Sequence, residues 1–472
     1  MHFHRPLLRH PSLKGILIVA ALAGAAPSSA SAEALLVVEA DTGKVLQADN
    51  ATMPWYPASV TKIMTAYVTL KAVKEGRLAL DQLLTVSPVA ASQSPSKMGF
   101  RPGTQVTVEN ALAMMMVKSA NDIAVVLAEG VGGSIDGFSA LMNQNAQRLG
   151  MTQTTYVNPN GLPADGQITS ARDLAILARA VIRDQPEYEY FYHIPSIRFG
   201  RRVTNNFNRL IGRYPGADGF KTGFICASGY NLVGSATRNG KRLIAVVLGS
   251  TSGHQRAVRA AQLLERGFAS SGNGLGWLRP SLGTVDNLVP IDASPPNLRD
   301  EMCNGKRKRP ASDEDEDTTI ASSASAGGES PAMFFTSGLQ APMPKASELL
   351  AAGPAASEPM VVYTGPKKSG TALIAAVSSD AEKQTTAKRG KRSRVAAQKP
   401  DASAAPKNEA KSEAKPAAKP AAVRHANAKP EVTAKPAAKP AEKPAASAEK
   451  PAPKPAKPKA AAKPKSDTKP AS

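Results

Sequence analysis

From about residue 301 onward Ala, Pro, Lys, Ser and Glu dominate this 472-residue chain, and beyond about 405 it is nearly repetitive, as in Lys415-Pro416-Ala417-Ala418-Lys419-Pro420. Such a stretch cannot bury enough apolar surface to offset the entropy of ordering it. A folded core is therefore expected over residues 33–275, then a linker over 276–300 and a disordered Lys/Ala/Pro-rich tail over 301–472. Charge divides in the same way. Residues 301–472 carry 30 basic and 18 acidic side chains, +12 of the formal +21, whereas residues 33–300 carry 26 and 20. Two apolar islands interrupt the tail, at 360–363 and 373–377, and neither is long or amphipathic enough to anchor in a membrane.

The N-terminus, residues 1–32, reads as an export signal. Arg5, Arg9 and Lys14 precede an apolar run over 15–26, and Ala30-Ser31-Ala32 is a small-residue cleavage site that would leave Glu33 first. The run is short for a membrane span, and whether the signal is retained as an anchor stays open. Export places the mature chain in the periplasm or cell envelope. That setting argues against a nucleic-acid partner for the Lys-rich tail and leaves it weak contact with anionic envelope polymers or lipids. The chain has 2 cysteines. Cys226 falls in a predicted strand and Cys303 in the tail, so they are not expected to pair even in an oxidising space.

Between signal and tail the pattern is α+β. Leu35-Leu36-Val37-Val38 and Lys44-Val45-Leu46 flank Asp41-Thr42-Gly43 as an opening hairpin. Helices follow at 59–73, 109–117, 122–129, 137–149 and, after a Ser170-x-x-Asp173 capping signal, 174–183. Strands return at 219–226, 230–237 and 242–248, the last two joined by an Asn239-Gly240 turn, and a helix over 256–268 closes the run. The order predicts an antiparallel sheet flanked by helices with a largely helical lobe, the N-terminal strand pair lying beside the C-terminal strands.

Three motifs carry the chemistry: Ser59-Val60-Thr61-Lys62, Ser119-Ala120-Asn121 and Lys221-Thr222-Gly223. Ser-x-x-Lys alone is weak, for it recurs at Ser94 to Lys97 and at Ser466 to Lys469. Ser59, however, follows Pro57 and opens a run in which Ile63, Ala66, Tyr67, Leu70 and Val73 keep a helical period, so Lys62 lies one turn along on its face. A serine hydroxyl is a poor nucleophile until a base takes its proton. A lysine can be that base when burial and a cationic neighbour, here Lys221, lower its pKa. Backbone N–H groups at the helix start favour the oxyanion that follows attack.

The stretch from about 35 to 270 resembles the penicillin-recognising D-alanyl-D-alanine carboxypeptidases, the low-molecular-mass penicillin-binding proteins. Besides the three motifs the resemblance rests on Tyr56-Pro57-Ala58-Ser59, Asn121-Asp122, Asn158-Pro159-Asn160-Gly161-Leu162, Asp218-Gly219-Phe220-Lys221-Thr222-Gly223 and Gly229-Tyr230-Asn231-Leu232-Val233. It implies the fold shared with serine β-lactamases. It also implies that Ser59 attacks the carbonyl between two D-alanines ending a peptidoglycan stem peptide, with Lys62 as base. Ser119 and Asn121 would relay the proton and bind the substrate amide. The backbone N–H groups of Ser59 and Phe224 would form the oxyanion hole, and Lys221, Thr222 and Arg256 would hold the terminal carboxylate. β-Lactam antibiotics would acylate Ser59.

Rivals can be ranked. A class A β-lactamase deacylates through a glutamate-bound water, and its Glu-x-x-Leu-Asn signature is absent between Asn121 and Lys221. A Ser-His-Asp hydrolase is disfavoured because the mature chain has only His193, His254 and His425 and no Gly-x-Ser-x-Gly elbow. No Cys, His or carboxylate cluster has metal-ligand spacing, so no metal or cofactor is expected. A D,D-endopeptidase using the same site and a non-catalytic wall-binding protein remain as alternatives.

Overall fold

A computed structural model describes residues 1–2, 33–272, 281–304, 346–351 and 357–382, all within a unit formed by residues 1–400. The export signal, apart from residues 1–2, and the Ser-x-x-Lys at 466–469 lie outside the described residues.

Two strands come first, β1 (Ala34–Glu39) and β2 (Val45–Asp49), and a 3-10 turn at Ala58–Thr61 leads into helix α1 (Lys62–Lys74). The helical block continues with α2 (Pro88–Ser92), α3 (Val108–Lys118), α4 (Asn121–Gly132), α5 (Ile135–Leu149) and α6 (Ala171–Asp184), with β3 (Leu83–Thr85) and β4 (Gln105–Thr107) paired within it. A short hairpin, β5 (Ser196–Phe199) and β6 (Arg202–Asn205), precedes β7 (Ala217–Ile225), β8 (Gly229–Arg238) and β9 (Lys241–Ser250), and α7 (Gly253–Gly272) follows.

The main sheet runs β2-β1-β9-β8-β7 and is antiparallel throughout, so the opening strand pair does lie beside the last strands. Its apolar runs lack polar alternation because both faces are covered. Leu36, Val38, Ile244 and Val246 pack against the helical block, while Leu35, Val37, Ala245 and Val247 pack beneath α7. Each fully buried Leu, Ile or Val of this kind contributes about 1.5–3 kcal/mol. Local signals hold as well. Ser170 Oγ accepts from the Asp173 N–H at 3.2 Å and starts α6, and Asn239 and Gly240 both take left-handed φ, +50° and +73°, in the β8–β9 turn.

Among the described residues, 281–304, 346–351 and 357–382 carry structure within the stretch expected as linker and tail. Residues 281–304 form a strap around the domain. Val45 N donates to the Gly283 carbonyl and Val285 N to that of Gly43, Arg172 binds the Asp286 carbonyl at 3.0 Å, Gln153 binds that of Ile291 at 3.1 Å, and Leu298 N donates to the Ala227 carbonyl at 3.0 Å. The strap ends in α8 (Arg299–Cys303), where Met302 is buried and Cys303 is bonded to Cys226 with Cα atoms 5.7 Å apart. Pairing of the two cysteines, not expected from the sequence, follows from this path. Farther on, Ala346 and Leu350 of α9 (Ala346–Ala351) pack on α7, and β10 (Met360–Val362) pairs parallel with β5 with Val362 fully buried. Residues 370–382 are helical. Average composition misses such segments because a few apolar side chains, or an open strand edge such as that of β5, suffice to order a short piece against a core already formed.

Candidate active site

Lys62 is held by hydrogen bonds to three segments of the chain. It opens α1 and is fully buried, and its Nζ donates to Ser59 Oγ (2.9 Å), Asn121 Oδ1 (2.7 Å) and the Asn160 carbonyl (2.6 Å). A buried ammonium requires such partners. Ser59 sits in the 3-10 turn rather than in the helix proper, and it is half-buried, within reach of solvent. Ala58 before it takes φ +51°, which an alanine adopts only at a cost of about 1–3 kcal/mol.

Two glycines explain how that turn is held. A Cβ on Gly161 (φ +80°) would lie 1.8 Å from the Ala58 carbonyl oxygen, and one on Gly223 would lie 2.6 Å from Ser59 N. The loop after α5 and the edge strand β7 therefore press on the Ser59 turn from two directions, which only residues without a side chain allow. Thr65 Oγ1 bonds the Pro159 carbonyl at 2.6 Å, Gln167 Nε2 bonds Thr61 Oγ1 at 3.2 Å, and Asn231 Nδ2 bonds the carbonyls of Tyr56 and Pro57.

Asn121 opens α4 immediately after the break at Ser119, whose φ of +58° ends α3. Its Nδ2 donates to the Ser94 carbonyl, and Asp122 accepts from the N–H groups of Met98, Gly99 and Ile123. Burial pushes the Asp122 carboxyl above its ordinary range, against the opposing pull of those donors. The chance Ser-x-x-Lys at 94–97 thus belongs to a loop pinned over the site, and Lys97 Nζ is turned to the Ala91 carbonyl. Gln93 Oε1 accepts from Asn160 Nδ2 at 3.0 Å and closes the ring of contacts. The Asn158 to Leu162 segment carries the family resemblance without an assigned role. The structure supplies one: the Asn160 carbonyl orients Lys62.

On β7, Lys221 pairs with Val233, whose face meets the helical block, and Lys221 Nζ donates to the Thr222 carbonyl at 3.0 Å. Thr222 pairs with Leu232, whose face meets α7. On that side the Phe224 ring stacks on Tyr230 at 4.2 Å, and the guanidinium of Arg256, from the start of α7, lies 5.6 Å over the Tyr230 ring. Arg256 also reaches the Asn231 and Phe207 carbonyls at 3.4 and 3.5 Å. Among the described residues Thr222 Oγ1 is buried without a hydrogen-bond partner, an orphan that an anionic ligand at the β7 edge would satisfy. The structure thus gathers Ser59, Lys62 and Asn121 into one hydrogen-bonded set with Gly223 against it, and places Thr222, Phe224 and Arg256 along the other face of the same edge strand.

An antiparallel sheet with a helical lobe, meeting at a Ser–Lys–Asn set beside a Lys-Thr-Gly edge strand, defines the penicillin-binding and β-lactamase-like α+β class. The profile of the Peptidase S11 family, described as D-alanyl-D-alanine carboxypeptidase, matches residues 21–252. D-alanyl-D-alanine carboxypeptidase DacB2 of Mycobacterium tuberculosis is 34% identical over 252 residues, covering 50% of this chain and 82% of the relative. DacC of Escherichia coli is 39% identical over 247 residues, 51% of this chain and 62% of the relative, so the chain spans less than two thirds of that protein. The crystal structure of penicillin binding protein 5 from Haemophilus influenzae matches 52% of this chain and 73% of its own at 36% identity, with a TM-score of 0.49. The chain belongs to the D-alanyl-D-alanine carboxypeptidase family.

Proposed function

We propose that this protein is a serine-type D-alanyl-D-alanine carboxypeptidase that removes the terminal D-alanine from peptidoglycan stem peptides and is acylated by β-lactams at Ser59. The observation that carries this reading is the Lys62 environment. Among its neighbours, Asn121 Oδ1 and the Asn160 carbonyl can only accept, whereas the Ser59 hydroxyl can also donate. A neutral Lys62 can hold these fixed acceptors with its N–H groups and turn its lone pair to Ser59. Ser59 Oγ then attacks the carbonyl carbon, and the proton passes to Lys62. Negative charge gathers on the carbonyl oxygen, where the N–H groups of Ser59 and Phe224 would receive it. When the C–N bond breaks, the proton returns through Lys62 and Ser119 to the leaving amine of D-alanine. Water then cleaves the acyl-enzyme by the reverse sequence, and the shortened stem leaves with a free carboxylate.

Asn121 supports the substrate amide in this reading. Lys221, the unpartnered Thr222 hydroxyl and Arg256 read the C-terminal carboxylate, which favours an exopeptidase. The Cys226–Cys303 bond supports export to an oxidising compartment such as the periplasm. Weak contact of the basic tail with anionic envelope polymers or lipids belongs to the same proposal.

Benzylpenicillin should add once to the mature chain, on the peptide bearing Ser59, and Ser59→Ala should abolish the adduct in mass spectrometry. An adduct on Ser94 or Ser119, or none, would overturn the mechanism. Product analysis on a defined pentapeptide and on a cross-linked dimer should give free D-alanine from the first. Separated stems from the dimer, without free D-alanine, would favour the endopeptidase.

A further inference from the structure

The donor expected at Phe224 lies near the end of an edge strand. Among the described residues β7 is paired on one side only, with β8, and the ladder stops at Ile225 opposite Gly229. Phe224 pairs with Tyr230 one step from the end of the ladder, so the hold on the adjoining turn, Ile225 to Ser228, bears on how the expected Phe224 donor is presented. Within the turn Ser228 N donates to the Ile225 carbonyl at 3.0 Å. Outward ties go in two directions. Toward the nucleophile, Trp55 Nε1 donates to the Ser228 carbonyl at 3.0 Å, four residues before Ser59. Toward the strap, Leu298 N donates to the Ala227 carbonyl at 3.0 Å and Cys226 is covalently bonded to Cys303.

The strap is itself held at distant points. It pairs with the β1–β2 turn through Lys44 and Thr284, receives Arg172 at the Asp286 carbonyl and Gln153 at the Ile291 carbonyl, and buries Val285, Leu298 and Met302. Arg172 is ion-paired to the buried Asp173 at 2.7 Å, which roots that contact in α6. The turn is thus tied to the helical block through the strap as well as to Trp55.

We infer that residues 281–304, acting through the Cys226–Cys303 bond and the Leu298–Ala227 hydrogen bond, are a positioning element that holds the Phe224 N–H in register with Ser59. The inference rests on the serine acyl-transfer reading above. Its physical basis is that an oxyanion donor works only within hydrogen-bond distance of a charge that appears transiently, so small displacements cost rate rather than binding. Thr222 and Arg256 are anchored farther from the turn than the Phe224 N–H is. Thr222 lies inside the β7–β8 ladder, and Arg256 is rooted in α7. Ground-state recognition of the carboxylate should therefore survive loss of the brace.

The experiment uses the full mature chain, oxidised or treated with dithiothreitol, together with the double variant Cys226→Ser/Cys303→Ser. Steady-state turnover of a D-Ala-D-Ala peptide and the benzylpenicillin acylation rate are measured, with circular dichroism reporting the folded fraction. Breaking the bond in folded protein should lower kcat and the acylation rate by about 5–50-fold while KM stays within about twofold. The double variant should match the reduced wild type and ignore dithiothreitol. Normal turnover in folded, reduced protein, or a loss that merely tracks the folded fraction, would overturn the inference. Absence of acylation in the oxidised wild type would instead sink the acyl-transfer reading, and this inference with it.

Discussion

Gly161 lies so close to the Ala58 carbonyl that a methyl group on its Cα would sit 1.8 Å from the oxygen. Ala58 carries the left-handed backbone that presents Ser59, so the glycine and the strained alanine are two halves of one device. Gly161→Ala should lower stability by about 2–5 kcal/mol, from steric overlap and a positive φ together, and should reduce acylation in whatever fraction stays folded. Denaturant unfolding beside penicillin labelling checks this, and a variant within about 0.5 kcal/mol of wild type would show that the loop moves aside freely.

Removing the amine that faces Ser59 tests the base. Lys62→Ala should keep a cooperative melting transition and lose acylation by about 10²–10⁴-fold, the usual worth of a general base. The single-turnover rate with benzylpenicillin is the readout, and a rate near that of wild type would show that another group takes the serine proton.

Arg256 and Thr222 make a charge-specific claim. Arg256→Ala should cost about 1.5–3 kcal/mol in kcat/KM on a peptide ending in a free carboxylate, and far less on its C-terminal amide. Equal losses on both substrates would assign Arg256 to packing over Tyr230 instead.

Acid and alkaline limbs of the stability curve have named contributors where α6 meets α1. Burial works to raise the Asp184 carboxyl, but Arg183 and Tyr67, whose hydroxyl donates at 2.6 Å, together hold it below 3.8. Its folded state binds a proton less readily than the unfolded chain does, so this stabilisation is present above pH 3.8 and is lost as pH falls through the folded value. Burial first, and then Asp184, push Tyr67 up to about 12 from 10.0, so its contribution is present below pH 10.0 and is lost as pH rises toward 12. Asp184→Asn should flatten the acid limb in melting temperatures recorded from neutral pH down to about 2.5. A difference between variant and wild type that does not change with pH would remove Asp184 from the account.

Much of the site was legible because its chemistry sits in contiguous words. Ser59 and Lys62 are neighbours on one helical turn whatever surrounds them, and Ser119 to Asn121 bridges two helices with a strong internal period. Other parts were not legible. Asn160 acts through its backbone carbonyl, which every residue possesses, so no side-chain pattern marks it. Gln93 and Ser94 serve by touching Asn160 and Asn121 from a loop whose sequence resembles many others.

The sequence alone determined the main helices and strands and their order, though not the short pairs β3–β4 and β5–β6, since periodicity, caps and the Asn239-Gly240 turn are local properties that the backbone obeys wherever it lies. It likewise determined which side chains could perform acyl transfer. Tertiary structure decided what meets across long separations: Gly223 against Ser59, the Asn160 carbonyl on Lys62, Cys226 joined to Cys303 across 77 residues, and Val362 buried beside β5 from within a stretch of largely hydrophilic composition. Those contacts are energetic only after the core has formed and presented a surface, and composition averages over the few residues that use it.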